Sequence, residues 1–157
     1  MVPGGDVLVV LDGRAVSERV VGWVGRLCRG RRVSVRLLMV RRPERGVWAG
    51  ARQVAFASQL EDAVRLECLG YLHGIAARLE ERGIRATPEV RFGTPTETVL
   101  AAVRASGVAL VALAASVQAD VADAMGGLAR ELLRRSPIPV FVARTRGQRA
   151  ARGKPCE

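Results

Sequence analysis

Two stretches of this chain carry no polar position inside them: "DVLVVLD" (Asp6 to Asp12) and "VALVALAA" (Val108 to Ala115). A strand with one wet face alternates apolar and polar residues. An uninterrupted apolar run is instead a strand covered on both sides, as in a parallel sheet flanked by helices. Segments of helical spacing separate these runs. In "SERVVGWVGRLCRG", Val20, Trp23, Val24, Leu27 and Cys28 form an apolar stripe, with Ser17 placed to cap its start and Gly30 to close it. "RRVSVRLLMV" (Arg31 to Val40) is extended again. A loop with Pro43 and Gly46 then leads to the longest helix. There Ser58 and Glu61 have capping-box spacing, and Leu60, Val64, Cys68, Tyr71, Leu72, Ile75 and Leu79 line one face up to Gly83. "IRATPEVRF" is a third extended segment, made irregular by Pro88, which has no N–H for a ladder.

The clearest helix is "GTPTETVLAAVRASG": Thr94 is placed as N-cap, Pro95 as first residue, Glu97 as capping-box partner and Gly107 as stop. After the second apolar run, a helix is expected from about Asp123 or Gly126 to Arg135. "SPIP" breaks it, and "VFVAR" (Val140 to Arg144) is the last strand. Strands alternating with helices predict one doubly wound α/β domain, a five-stranded parallel sheet with helices on both faces. In such sheets ligands sit beyond the carboxyl ends of strands, at the switch in strand order. The positions to inspect are therefore Asp12, Val40, Gly93 and the loop after Ala115.

A length of 157 residues with 49% hydrophobic content fits a single packed domain, read as residues 1–144, followed by a basic, disordered tail over 145–157. The longest apolar runs fall well short of the roughly 18–20 residues that span a bilayer. "MVPGGD" shows no basic segment followed by an apolar one, and Cys28, Cys68 and Cys156 form no CxxC pair. Reduced thiols, no metal site, no membrane and a cytoplasmic location are the expectations. The net charge of +10 is almost all arginine, Lys154 being the only lysine. Arg14, Arg19, Arg26, Arg52, Arg78, Arg91 and Arg104 fall in different elements, and the one concentrated run is the tail. Aromatic residues make up 4%, leaving little for bases to stack on, and a tail that contacts nucleic acid or an acidic partner ranks last among the readings.

Over the span Asp6 to Arg144 the chain resembles the universal stress protein family. The residues that carry the resemblance are "VLVVLDG", "GTPTETVLAAVRASGVALVALAA" and the closing "GGLARELLRRSPIPVFVAR". The resemblance implies a Rossmann-like sheet of the adenine nucleotide alpha-hydrolase-like kind and dimerisation through the last strand, at Val140, Phe141 and Val142. In ATP-binding members the phosphates rest on a loop of the form G-x2-G-x9-G-[S/T], whose glycines admit the backbone to phosphate oxygens. Registered on "GGLAR", the third glycine of that pattern is Gly126 and the hydroxyl position is Gly127. The second glycine falls at Ser116 and the first at Leu113, while Asp120 and Asp123 add negative charge. The loop reads as the remains of a phosphate cradle. Asp12 matches the acidic residue that contacts the ribose-adenine part of ATP, and Val40 a residue whose backbone meets adenine. Asp12 equally suits a cap on the turn that follows.

No catalytic set emerges. His73 is the only histidine and stands off the apolar stripe; no GxSxG is present; Cys28 and Cys68 sit on apolar helix faces. Trp23 belongs to the first helix's buried stripe, and Trp48 stands in a loop where it would cover a cleft or pack a partner. The resulting expectation is a non-enzymatic dimer that acts in stress response through an unidentified protein partner, with no cofactor. The alternative is a sensor taking AMP or ATP at Asp12, Val40, Ser116, Gly126 and Gly127.

Overall fold

The computed structural model describes residues 5–43, 47–49, 52–105, 107–117 and 126–146. In chain order these form β1 (Asp6–Leu11), α1 (Arg19–Cys28), β2 (Val35–Arg41), β3 (Val47–Ala49), β4 (Arg52–Ala55), α2 (Ala57–Glu80), β5 (Ala86–Phe92), α3 (Pro95–Ala105), β6 (Val108–Val117), α4 (Gly126–Arg135) and β7 (Val140–Arg146). Five strands make a parallel sheet in the order β5-β2-β1-β6-β7. The two apolar runs, β1 and β6, lie at its centre, covered on both sides as their composition requires.

Alternate residues of each strand feed two cores. Val7, Val9, Leu11, Leu37 and Met39 face α1 and α2, packing with Val24, Leu72, Ile75 and Leu79. Leu8, Val10, Leu38, Val111 and Leu113 face α3 and α4, packing with Leu100, Val103 and Leu132. Pro88 is accommodated because β5 is an edge strand, bonded to β2 on one side only.

Several local expectations are corrected. The stretch read as a plain loop before α2 holds a two-stranded antiparallel hairpin, β3 with β4. Its strands are too short to announce themselves by periodicity. The hairpin delivers the chain into α2 at Ala57, so Phe56 occupies the N-cap position and Gln59 Oε1 accepts its N–H at 3.4 Å. Ser58 lies inside the first turn and does not cap it. Ser17 also fails as a cap. Its hydroxyl donates to the Arg14 carbonyl at 2.8 Å and accepts the Asp12 N–H at 3.4 Å, closing a turn ahead of α1. Glu97 turns toward α4, where Arg135 donates to it at 2.6 Å, instead of back to its own helix end.

Trp23 is the larger correction: it is 49% exposed, and Leu27 is 39% exposed. The buried side of α1 is Val20, Val21, Val24, Gly25 and Cys28. α1 packs over β6 and the edge strand β7, and on its outer flank the Trp23 ring meets Phe141, with centroids 6.5 Å apart, and the Arg26 guanidinium. β7 continues through Arg146; the tail from 147 onward, Cys156, and the loop 118–125 with Asp120 and Asp123 lie outside the described residues.

Candidate functional site

The sheet order reverses at β1, whose neighbours are β2 and β6. Its carboxyl end is where this architecture opens a crevice. Leu11 pairs with Met39, so Asp12 and Val40 each stand one residue further along on adjacent strands. The strand register thus brings together two residues far apart in the chain. Gly13 follows with φ +86°, a left-handed turn that a side chain disfavours, and this bends the chain sharply away from the strand end.

Asp12 is committed to that turn. Its Oδ1 accepts the Arg14 N–H at 2.9 Å, and its Oδ2 lies 3.2 Å from Arg14 Nε. Both side chains are largely exposed, so the ion pair adds little stability. Val40 points to the α3–α4 side of the sheet. Met39 and Arg41 point the other way and, with Asp12, Arg14, Glu67, Cys68 and Tyr71, line a cavity of about 290 Å³ under the middle of α2. That volume is at the lower end for small-molecule pockets. The α2 contribution was not legible in the sequence, since Glu67 and Tyr71 gain relevance only when α2 lies across the ends of β1 and β2.

A polar clasp closes the cavity's flank. The Tyr71 hydroxyl donates to Glu18 Oε1 at 2.7 Å, and Arg78 Nη2 donates to Glu18 Oε2 at 3.0 Å. The hydrogen bond from Tyr71 holds the Glu18 carboxyl below its ordinary range, while burial, aided by the Glu18 charge, pushes the Tyr71 phenol far upward. Burial also raises the Cys68 and Cys28 thiols, which are therefore poor nucleophiles. His73 is exposed on α2. Among the described residues no group of three or more His, Cys, Asp or Glu side chains could hold a metal ion. Nor is any described helix long and apolar enough to cross a membrane.

On the other side of β1, β6 stays paired with β7 through Val117: Leu113 with Val142, Ala115 with Arg144, Ser116 with Thr145. Leu113 is buried in the α3–α4 core. Gly126 opens α4, and Gly127 is exposed on its first turn, with open space where a side chain would begin. The structure therefore puts Gly126 and Gly127 at a helix start and Ser116 inside a strand, while Trp48 is in β3.

The sequence profile of the universal stress protein family matches residues 5–144. The chain belongs to the universal stress protein family. No curated protein matches it. Solved structures share its fold at low identity. A universal stress protein family member from Burkholderia pseudomallei is 21% identical with a TM-score of 0.67, covering 88% of this chain and 95% of its own. A universal stress protein from Archaeoglobus fulgidus in complex with dAMP is 15% identical, with a TM-score of 0.61 and coverage of 90% and 98%. A family protein from Arabidopsis thaliana with AMP bound is 14% identical, with a TM-score of 0.63 and coverage of 92% and 93%.

Proposed function

We propose that this universal stress protein is a cytoplasmic, non-enzymatic dimer that acts in stress response through protein partners and does not depend on ATP. The observation carrying this reading is that β6 remains a paired strand through the positions where the family's phosphate loop has its first two glycines, Leu113 and Ser116. The Val111 N–H bonds to the Pro139 carbonyl, and the two-residue alternation of a strand turns the Leu113 N–H toward β7 as well, so that amide is engaged in the ladder and is not offered to a phosphate. Leu113 also fills the core where the loop would need backbone alone. Dimerisation is proposed at β7, the sheet edge carrying Val140, Phe141 and Val142, since an open apolar edge invites pairing with its twin.

A second reading is favoured by the cavity beside Asp12. A mononucleotide makes no demand for a triphosphate cradle, and the relatives with AMP and dAMP bound share this fold. In this reading Asp12, the Val40 backbone and the amides at Gly126 and Gly127 hold AMP.

The experiment is to denature gently purified protein, resolve any released nucleotide chromatographically, and titrate the stripped protein with MgATP and AMP by calorimetry. No release and no binding are expected. Stoichiometric AMP supports the second reading, and tight MgATP binding refutes the first.

A further inference from the structure

Three of the arginines that look scattered along the chain, Arg19, Arg26 and Arg78, converge with Arg29 and Arg82 in one place. Two adjoining hollows lie between α1 and α2. One, of about 560 Å³, is lined by Arg26, Arg29 and Arg82. The other, of about 230 Å³, is lined by Arg19, Arg78 and again Arg82. The groove they make follows α1 from Arg19 to Arg29, about 15 Å at 1.5 Å per residue. Two α1 glycines keep it open. Gly22 has empty space where a Cβ would stand, and a Cβ on Gly25 would come within 3.2 Å of Arg82 Nη1. Among the described residues, Arg78 is tied to Glu18 and Arg26 lies 5.2 Å from the Trp23 ring centre, while Arg19, Arg29 and Arg82 have no carboxylate partner.

We propose that this groove is a docking site for an acidic protein segment. Its length suits one short peptide segment, and guanidinium forks pair bidentately with carboxylates. Two carboxylates of its own, Glu18 and Glu81, interrupt the positive surface. A continuous phosphate backbone would have to pass both, whereas a peptide can place neutral residues opposite them. The scarcity of aromatic side chains points the same way. The groove adjoins the crevice at Asp12 through the Glu18 clasp but is lined by different residues, and it makes no use of the nucleotide or dimer readings proposed above.

The test is fluorescence anisotropy on the full chain. The probe is a fluorescein-labelled peptide of glutamates interspersed with alanine and leucine, with a labelled oligothymidine as comparison. The double variant Arg29→Glu with Arg82→Glu reverses charge in the groove; Arg104→Glu with Arg134→Glu makes the same change of charge on the opposite face. Gly22→Leu blocks the groove without altering charge and also suits a helix better than glycine. Salt-sensitive peptide binding is expected, weakened at least about tenfold by the groove double variant and by Gly22→Leu, and changed less than about twofold by the opposite-face variant. Three results each overturn the proposal: no peptide binding, equal loss in both double variants, or tighter oligothymidine binding that the groove variants abolish.

Discussion

Replacing Tyr71 with phenylalanine tests whether the clasp between α1 and α2 holds the cavity's flank. The substitution keeps the ring and removes one hydroxyl, which donates to Glu18 at 2.7 Å. Hydrogen bonds to charged groups contribute about 1.5–3 kcal/mol when well shielded. Glu18 is 28% exposed and retains its bond to Arg78, so the loss belongs at the low end, about 1–2 kcal/mol at neutral pH. For a domain of this size that lowers Tm by about 2–8 °C. The sign of the pH dependence follows from both partners. The folded Glu18 carboxyl titrates below its ordinary value of 4.5, so its contribution is complete above that value and is lost as pH falls through the folded pKa. The Tyr71 phenol titrates above its ordinary value of 10, so its contribution is complete below that value and is lost as pH rises through the folded pKa. Urea unfolding of both proteins, followed by circular dichroism at about pH 7 and about pH 3, should show a penalty that shrinks in acid toward the roughly 0.5–1 kcal/mol of a neutral hydrogen bond. A penalty of equal size at both pH values, or none at pH 7, refutes the clasp.

Leu100→Ala, at a fully buried position of α3, should cost about 2–5 kcal/mol in urea unfolding, because the α3–α4 core cannot collapse fully around the hole. In a Cys156→Ser background, Cys28 and Cys68 should react with a disulfide reagent far more slowly in native protein than in denaturant, both being buried with raised thiols; rapid native labelling of either contradicts that burial. Phe141→Asp, on the β7 edge, should shift the protein from dimer to monomer in sedimentation velocity while the fold persists by circular dichroism. An unchanged sedimentation coefficient would move the interface elsewhere.

How much the residues disclosed depended on the range of the interaction. β1 and β6 were legible because a strand buried on both faces needs an apolar residue at every position, and that pattern is local. α3 was legible from Pro95 and the apolar spacing behind it. Trp23 was misread because periodicity reports only that a residue lies near an apolar stripe. Whether another element covers that flank depends on α1 sitting by the sheet's edge. The hairpin of β3 and β4 escaped notice because short antiparallel pairing leaves little trace in composition.

The candidate site divides the same way. Asp12 and Val40 could be picked out as residues at strand ends, and Leu113 and Ser116 could be seen to be residues other than glycine. The chain alone thus determined the architecture and the family, since both are written in apolar runs and in the motifs that flank them. Only the tertiary structure set Glu67 and Tyr71 beside Asp12, showed β6 running on as paired strand past Ser116, and gathered Arg19, Arg26, Arg29, Arg78 and Arg82 into one groove. The reason is physical: charge and cavity are properties of surfaces, and a surface exists only once helices distant in sequence have packed side by side.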